Sequence, residues 1–133
     1  MYLSILKENE KKMFLDLAYA LSSADGNVAD KEKTLIHHYC DEMGIEKHTP
    51  STVVKSEVVK ELVETTDLQS KKIIVFELIG LAMADNSYDE SEKQFILETA
   101  SKFGLPNTFV DRCEKIILEY LSFQDKINNL IFG

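Results

Sequence analysis

The chain is poor in everything that would place it outside a cell or across a membrane. Its two cysteines, Cys40 and Cys113, are too few for a disulfide framework. They read as free thiols of a cytoplasmic protein. The opening stretch MYLSILKENEKK lacks both the apolar run and the small-residue cleavage site of a secretory signal. No segment approaches the roughly 20 apolar residues of a membrane span. The longest apolar stretch, Ile73 to Ala84, is shorter than that and is interrupted by Glu77. Basic charge is also in deficit. Fifteen Lys and Arg against 23 Asp and Glu leave a net charge of −8, and a phosphate backbone or an anionic bilayer needs a basic footprint. Nucleic acid and membrane insertion are therefore not expected. Cations, basic protein partners or plain solubility suit such a surface.

Catalytic signatures are missing as well. There is no Gly-rich phosphate loop, no nucleophile elbow and no zinc-protease helix. The expectation is a non-enzymatic protein. A hydrolase working through paired carboxylates is the weakest alternative. Alternation of apolar and polar residues, the mark of a half-buried strand, is absent too, so the fold expected is all-α.

What the chain does contain is a repeat. Its 133 residues are 44% apolar and 29% charged, which suits one globular domain over 1–133. Shifted by 60, KMFLDLAYALSSADGNVADKEKTLIHHYCDEMGI (Lys12–Ile45) lies over KIIVFELIGLAMADNSYDESEKQFILETASKFGL (Lys72–Leu105) without a gap. Ala24-Asp25 meets Ala84-Asp85, Glu32-Lys33 meets Glu92-Lys93, and Gly44 meets Gly104. After a four-residue insertion in the first copy, Pro50 to Val54 matches Pro106 to Val110. The spacing predicts two copies of a three-helix unit, about 12–65 and 72–123, packed together as six to seven helices.

Helix faces follow from periodicity. Phe14, Leu17, Ala18 and Leu21 line the first, and Leu35, Ile36, Tyr39, Cys40 and Met43 the second, which stops at Gly44. The third starts at Pro50 and carries Val54, Val58, Leu62 and Val63. In the second copy, Ile73–Ala84 is apolar nearly all round, as a central helix should be. Phe95, Ile96, Thr99, Ala100 and Phe103 line the next helix. Val110, Cys113, Ile117, Tyr120 and Leu121 line the one after Pro106, and Gln124–Ile131 forms a short amphipathic tail.

The stretch LSSADGNVADKEK resembles half of a calcium loop. With Gly26 at position 6 of an EF-hand, Asp25, Asn27, Val28 and Glu32 occupy positions 5, 7, 8 and 12. Leu21 would stand at position 1, where it cannot ligate. In the second copy Asp85, Ser87, Asp89 and Glu92 fall at 5, 7, 9 and 12, with Leu81 at 1. Neither copy is an EF-hand. Each is an acidic turn with about three oxygen ligands, where calcium takes 6–8. The same residues also read as plain turn and cap groups. Asp-Gly favours an Asx-turn, and Asp89 with Glu92 has the spacing of a capping box.

An Ala-Asp-Gly turn followed by Glu six residues after the Gly, repeated across an all-helical chain, resembles the TerB family of tellurite-resistance proteins. The superfamily includes the N-terminal domain of a membrane-anchored DnaJ-type co-chaperone. The resemblance covers Lys12 to about Phe123. It implies a duplicated all-α fold, a stress-response role, and a divalent cation held by Asp25, Glu32, Asp85 and Glu92 with Asp89 beside them. Calcium or magnesium is expected in preference to zinc. Two positions depart from the family pattern: Asn86 stands for the Gly, and Ala29 for the small polar residue before the first Glu.

The alternative expectation is a metal-free protein-interaction domain. A protein partner is expected in either case, though the sequence specifies neither which one nor an oligomeric state. His37, His38 and Cys40 have i, i+3 and neighbouring spacing but lack the further ligands of a zinc site. Cys40, which aligns with Ala100 of the other copy, reads as a buried thiol, with the two histidines flanking the core.

Overall fold

Among the described residues, six α-helices follow a short 3-10 turn at Leu3–Ile5, and no strand occurs. A computed structural model describes residues 1–22, 30–45, 55–84 and 88–133, with the side chains of residues 30–33 and 35 outside the description. The helices are α1 (Glu8–Ser22), α2 (Asp30–Met43), α3 (Lys55–Thr65), α4 (Leu68–Met83), α5 (Glu90–Lys102) and α6 (Asn107–Phe132). The all-α expectation is met.

Element boundaries keep the period of the sequence. α1 and α4 begin sixty residues apart, as do α2 and α5. Both second helices end on a glycine with positive φ, Gly44 at 69° and Gly104 at 78°. Beyond each glycine the next amide turns back: Ile45 N–H donates to Cys40 O at 3.1 Å, and Leu105 N–H to Ala100 O at 2.9 Å. This bond satisfies carbonyls that the helix end would otherwise orphan.

The starts of α1, α4 and α5 use side-chain caps, whereas α6 starts after Pro106 without one. Asp67 precedes α4 and accepts Ser70 N–H at 2.7 Å. Before α1 the relation is reversed: Glu10 reaches back to accept Lys7 N–H at 2.8 Å. Glu10 is therefore buried, at 2% exposure. The run Lys7–Lys12 reads in sequence as solvated surface, and Glu10 corrects that reading. Lys11 is also engaged, donating to Met43 O at 2.8 Å and so capping the carbonyl end of α2.

One hydrophobic cluster draws on every helix. α4 packs on α1, α5, α6 and the 3-10 turn. It buries Ile74, Val75, Leu78, Ile79, Leu81 and Ala82. Full burial of each large aliphatic side chain contributes about 1.5–3 kcal/mol before entropy is counted. α1 packs on α2, α3, α4 and α5, so the first helices of the two copies meet face to face. The predicted core residues of α1, α2 and α5 are buried, apart from Leu35, whose side chain lies outside the description.

Three details differ from expectation. In α3 the buried residues are Val59 and Leu62, while Val63 faces solvent. The expected start at Pro50 and the apolar Val54 lie outside the described residues. The 3-10 turn inserts Leu3 and Leu6 into the core, a contribution that a short apolar patch in the sequence does not announce. Finally, Gln124–Ile131 is no separate tail. No Gly or Pro falls between Asn107 and Phe132, and α6 runs through all 26 residues. That makes it about 39 Å long at 1.5 Å per residue.

Glu77 resolves a local conflict. It is the lone charge in the apolar stretch of α4 and is 5% exposed. Its Oε1 accepts Tyr2 N–H at 2.9 Å and lies 3.2 Å from the Met1 ammonium, which also pairs with Glu42. A buried carboxylate needs such partners.

Candidate functional site

Of the five candidate ligands, the structure describes the side chains of two. Asp25 and Asp85 lie outside the described residues, and so does the side chain of Glu32. Asp89 and Glu92 are described, and they form a capping box at the start of α5. Asp89 Oδ1 accepts Glu92 N–H at 2.9 Å and the Ser91 hydroxyl at 2.7 Å. Glu92 Oε1 accepts Asp89 N–H at 3.4 Å. The backbone N–H of Glu92 and then the Ser91 hydroxyl hold the Asp89 carboxyl below its ordinary pKa. Glu92 is buried and Asp89 is exposed. Among the described residues, no three of His, Cys, Asp and Glu converge as a metal-ligand group.

Behind this cap lies an ionic lock that the sequence does not announce. Lys93 Nζ contacts both oxygens of Glu114 at 2.6 Å and lies 3.9 Å from Asp111, joining α5 to α6. The same ammonium sits 5.8 Å from the Tyr88 ring. Burial, and then the Glu114 carboxylate, push the Tyr88 phenol above its ordinary pKa. Its hydroxyl is enclosed but makes no well-formed hydrogen bond. The repeated Glu-Lys pair is the available signal for this lock. Its partner on α6 lies 21 residues away and has no spacing signature. A second lysine joins α3 to α5: Lys55 pairs with Glu98 at 3.1 Å and covers the Phe95 ring at 3.9 Å.

The thiols and imidazoles do not assemble. Cys40 and Cys113 are buried and unbonded to each other. Burial, and then the neighbouring Glu114, push the Cys113 thiol up to about 11. It is therefore a poor nucleophile at neutral pH. Cys40 is fully buried, as expected, while His37 and His38 face solvent.

Most of the exposed large apolar residues among the described residues are on α6. Only Val110, Cys113 and Ile117 of this helix are buried. Ile116, Tyr120, Phe123, Ile127 and Leu130 are exposed, from 40% at Ile127 to 86% at Leu130. Tyr120, expected inside, is 45% exposed. With Phe109 and Cys113 these residues recur at alternating steps of four and three, the seam of a helix that pairs with another helix. At its base the seam enters a groove of about 620 Å³. Ile73 and Phe76 of α4, Ile5, and the α6 residues Phe109, Cys113 and Ile116 line it.

No helix among the described residues is long and apolar enough to cross a membrane. Comparison with protein-family models, with curated proteins and with solved structures finds no match to this chain.

Proposed function

We propose that this chain is a non-enzymatic helical interaction module, TerB-like in its repeated Ala-Asp turn, that binds protein through the apolar face of α6. The observation that carries the reading is the exposed line from Ile116 to Leu130. Isolated surface apolar residues are ordinary, but a continuous stripe at helix-pairing spacing marks a docking surface. Asp89 and Glu92 support it from the other side, since both serve as cap residues of α5. Phe123→Glu with Ile127→Glu tests the reading, because neither residue lies in the core cluster. The double variant stays folded, because neither change touches the core, and loses its partners in in-cell cross-linking. Partners retained in full by the folded variant would overturn the reading.

A second reading is favoured by one observation: Asp25 and Asp85, and Glu32 and Glu92, keep the same register in two copies. On that reading the acidic turns hold a divalent cation, calcium or magnesium before zinc, in a stress-response protein. Calorimetry of the metal-stripped chain with calcium, magnesium, manganese and zinc separates the two. Micromolar binding lost in Asp25→Asn or Asp85→Asn supports the cation. Absence of heat at millimolar cation removes it.

A further inference from the structure

From the α6 seam we infer that the partner is a second copy of this chain, bound helix to helix in antiparallel orientation. The inference rests on the interaction-module reading and gives that module its occupant. Three observations carry it: the seam's self-complementarity, the charges beside it, and the groove at its base.

Within the seam, Cys113, Tyr120 and Ile127 occupy one set of core positions, and Ile116, Phe123 and Leu130 the other. When two such helices run antiparallel, the sets face each other across a two-fold axis. Tyr120 meets Phe123 of the second copy and Ile116 meets its Ile127, while its Leu130 comes over the groove that Cys113, itself buried, helps to line. The same patch is used on both sides. The overlap spans about 27 Å of helix.

Charge selects the orientation. Glu119 and Lys126 stand at the flanking positions just before Tyr120 and Ile127. In the antiparallel pair these positions pack against each other, so Glu119 of each copy faces Lys126 of the other. Two attractive pairs form by symmetry. In a parallel pair Glu119 would face Gln124 and Lys126 would face Ile131, and no charge would be matched.

Geometry at the base agrees. Cys113 and Ile116 form part of the groove lining, together with Ile73 and Phe76. Antiparallel pairing lays the second copy's Ile127 and Leu130 over these residues, the apolar part of a groove that Gln69, Lys72 and Arg112 also line. It also sets the two helical cores at opposite ends of the pair, so they do not collide.

The test uses the 133-residue chain and two charge reversals, Glu119→Lys and Lys126→Glu. Sedimentation equilibrium at tens to hundreds of micromolar reads the mass. The wild type gives twice the single-chain 15.2 kDa. Each reversal alone faces like charge with like charge twice and shifts the mass toward 15.2 kDa. An equimolar mixture of the two variants restores the doubled mass, because both facing pairs between unlike variants are again of opposite charge. A parallel pair or an unrelated interface gives no such rescue, and that result overturns the inference. A wild-type mass of 15.2 kDa at every concentration also overturns it. In that case the in-cell cross-linking of Phe123→Glu/Ile127→Glu decides the parent reading separately. Loss of a different protein leaves the interaction module standing with a foreign partner, and no loss removes both.

Discussion

At Asp89 one carboxylate oxygen serves two donors, the Glu92 amide and the Ser91 hydroxyl. The cap requires an acceptor, and the lowered pKa means that the ionised acceptor is favoured over a neutral one. Asp89→Asn keeps an acceptor without the charge and should melt below the wild type, whereas Asp89→Ala removes the acceptor and should melt lower still. Circular dichroism on the two variants checks this. An Asn variant as unstable as the Ala variant would show that charge is what matters there. The pH dependence follows from the same groups. Asp67 is held low first by the Ser70 amide, and Asp89 by the Glu92 amide, both below an ordinary value of 3.8. Their contribution is therefore present above that value and is lost as pH falls through the depressed folded-state values. The Met1 ammonium behaves oppositely. Burial pulls its pKa down, but Glu42 and Glu77 outweigh burial and raise it above 8.0. Its contribution is intact below pH 8.0 and declines as pH rises through the raised value. Urea midpoints between about pH 2 and pH 10 should fall at both ends. Asp67→Asn/Asp89→Asn should flatten the acid limb alone.

At the scale of the element, legibility depends on whether a signal is local. α1, α2 and α5 announce their buried faces because a 3.6-residue period needs no knowledge of neighbours. Gly44 and Gly104 announce two helix ends, and both adopt the positive φ that such ends require. An alanine Cβ would meet nothing within 4 Å at either position, so Gly104→Ala costs only the left-handed backbone, about 1–2 kcal/mol. Chemical denaturation checks that figure. A neutral result would mean that the helix end can rearrange. The long-range features are not legible. Glu77 reads as an interruption, because its partners, Tyr2 N–H and the Met1 ammonium, lie about seventy-five residues away. Glu10 reads as surface for another reason: its contact with Lys7 is local, but the packing that buries it comes from elsewhere in the fold. The full length of α6 is hidden for a similar reason. Leu121 does pack, partly buried, against the core cluster, but Tyr120 can be assigned to a core only by assuming that a core lies beside it, and the buried residues of α6 end at Ile117.

At the scale of the molecule, the acidic repeat and the apolar helix face pull the functional reading in different directions. The duplicated turn is the most conspicuous motif in the sequence, yet where its side chains are described it builds a cap. The seam on α6 is inconspicuous in sequence, because apolar residues at helical spacing look like core until the rest of the core is placed. That core is tight. Leu78 is fully buried in α4, and Leu78→Ala should cost about 2–5 kcal/mol in urea unfolding. Among the described residues, the part of α6 beyond Leu121 has no such support. A helical segment of this length is marginal in water without a packed face.

Amide hydrogen exchange along α6, followed as protein concentration rises, therefore tests the central claim most directly. If the seam exists to be paired, protection of residues 118–131 should increase with concentration, and α4 amides that exchange by global unfolding should gain no more than the stabilisation that pairing confers on the whole fold. Protection of 118–131 that is the same at every concentration would contradict pairing between copies of this chain.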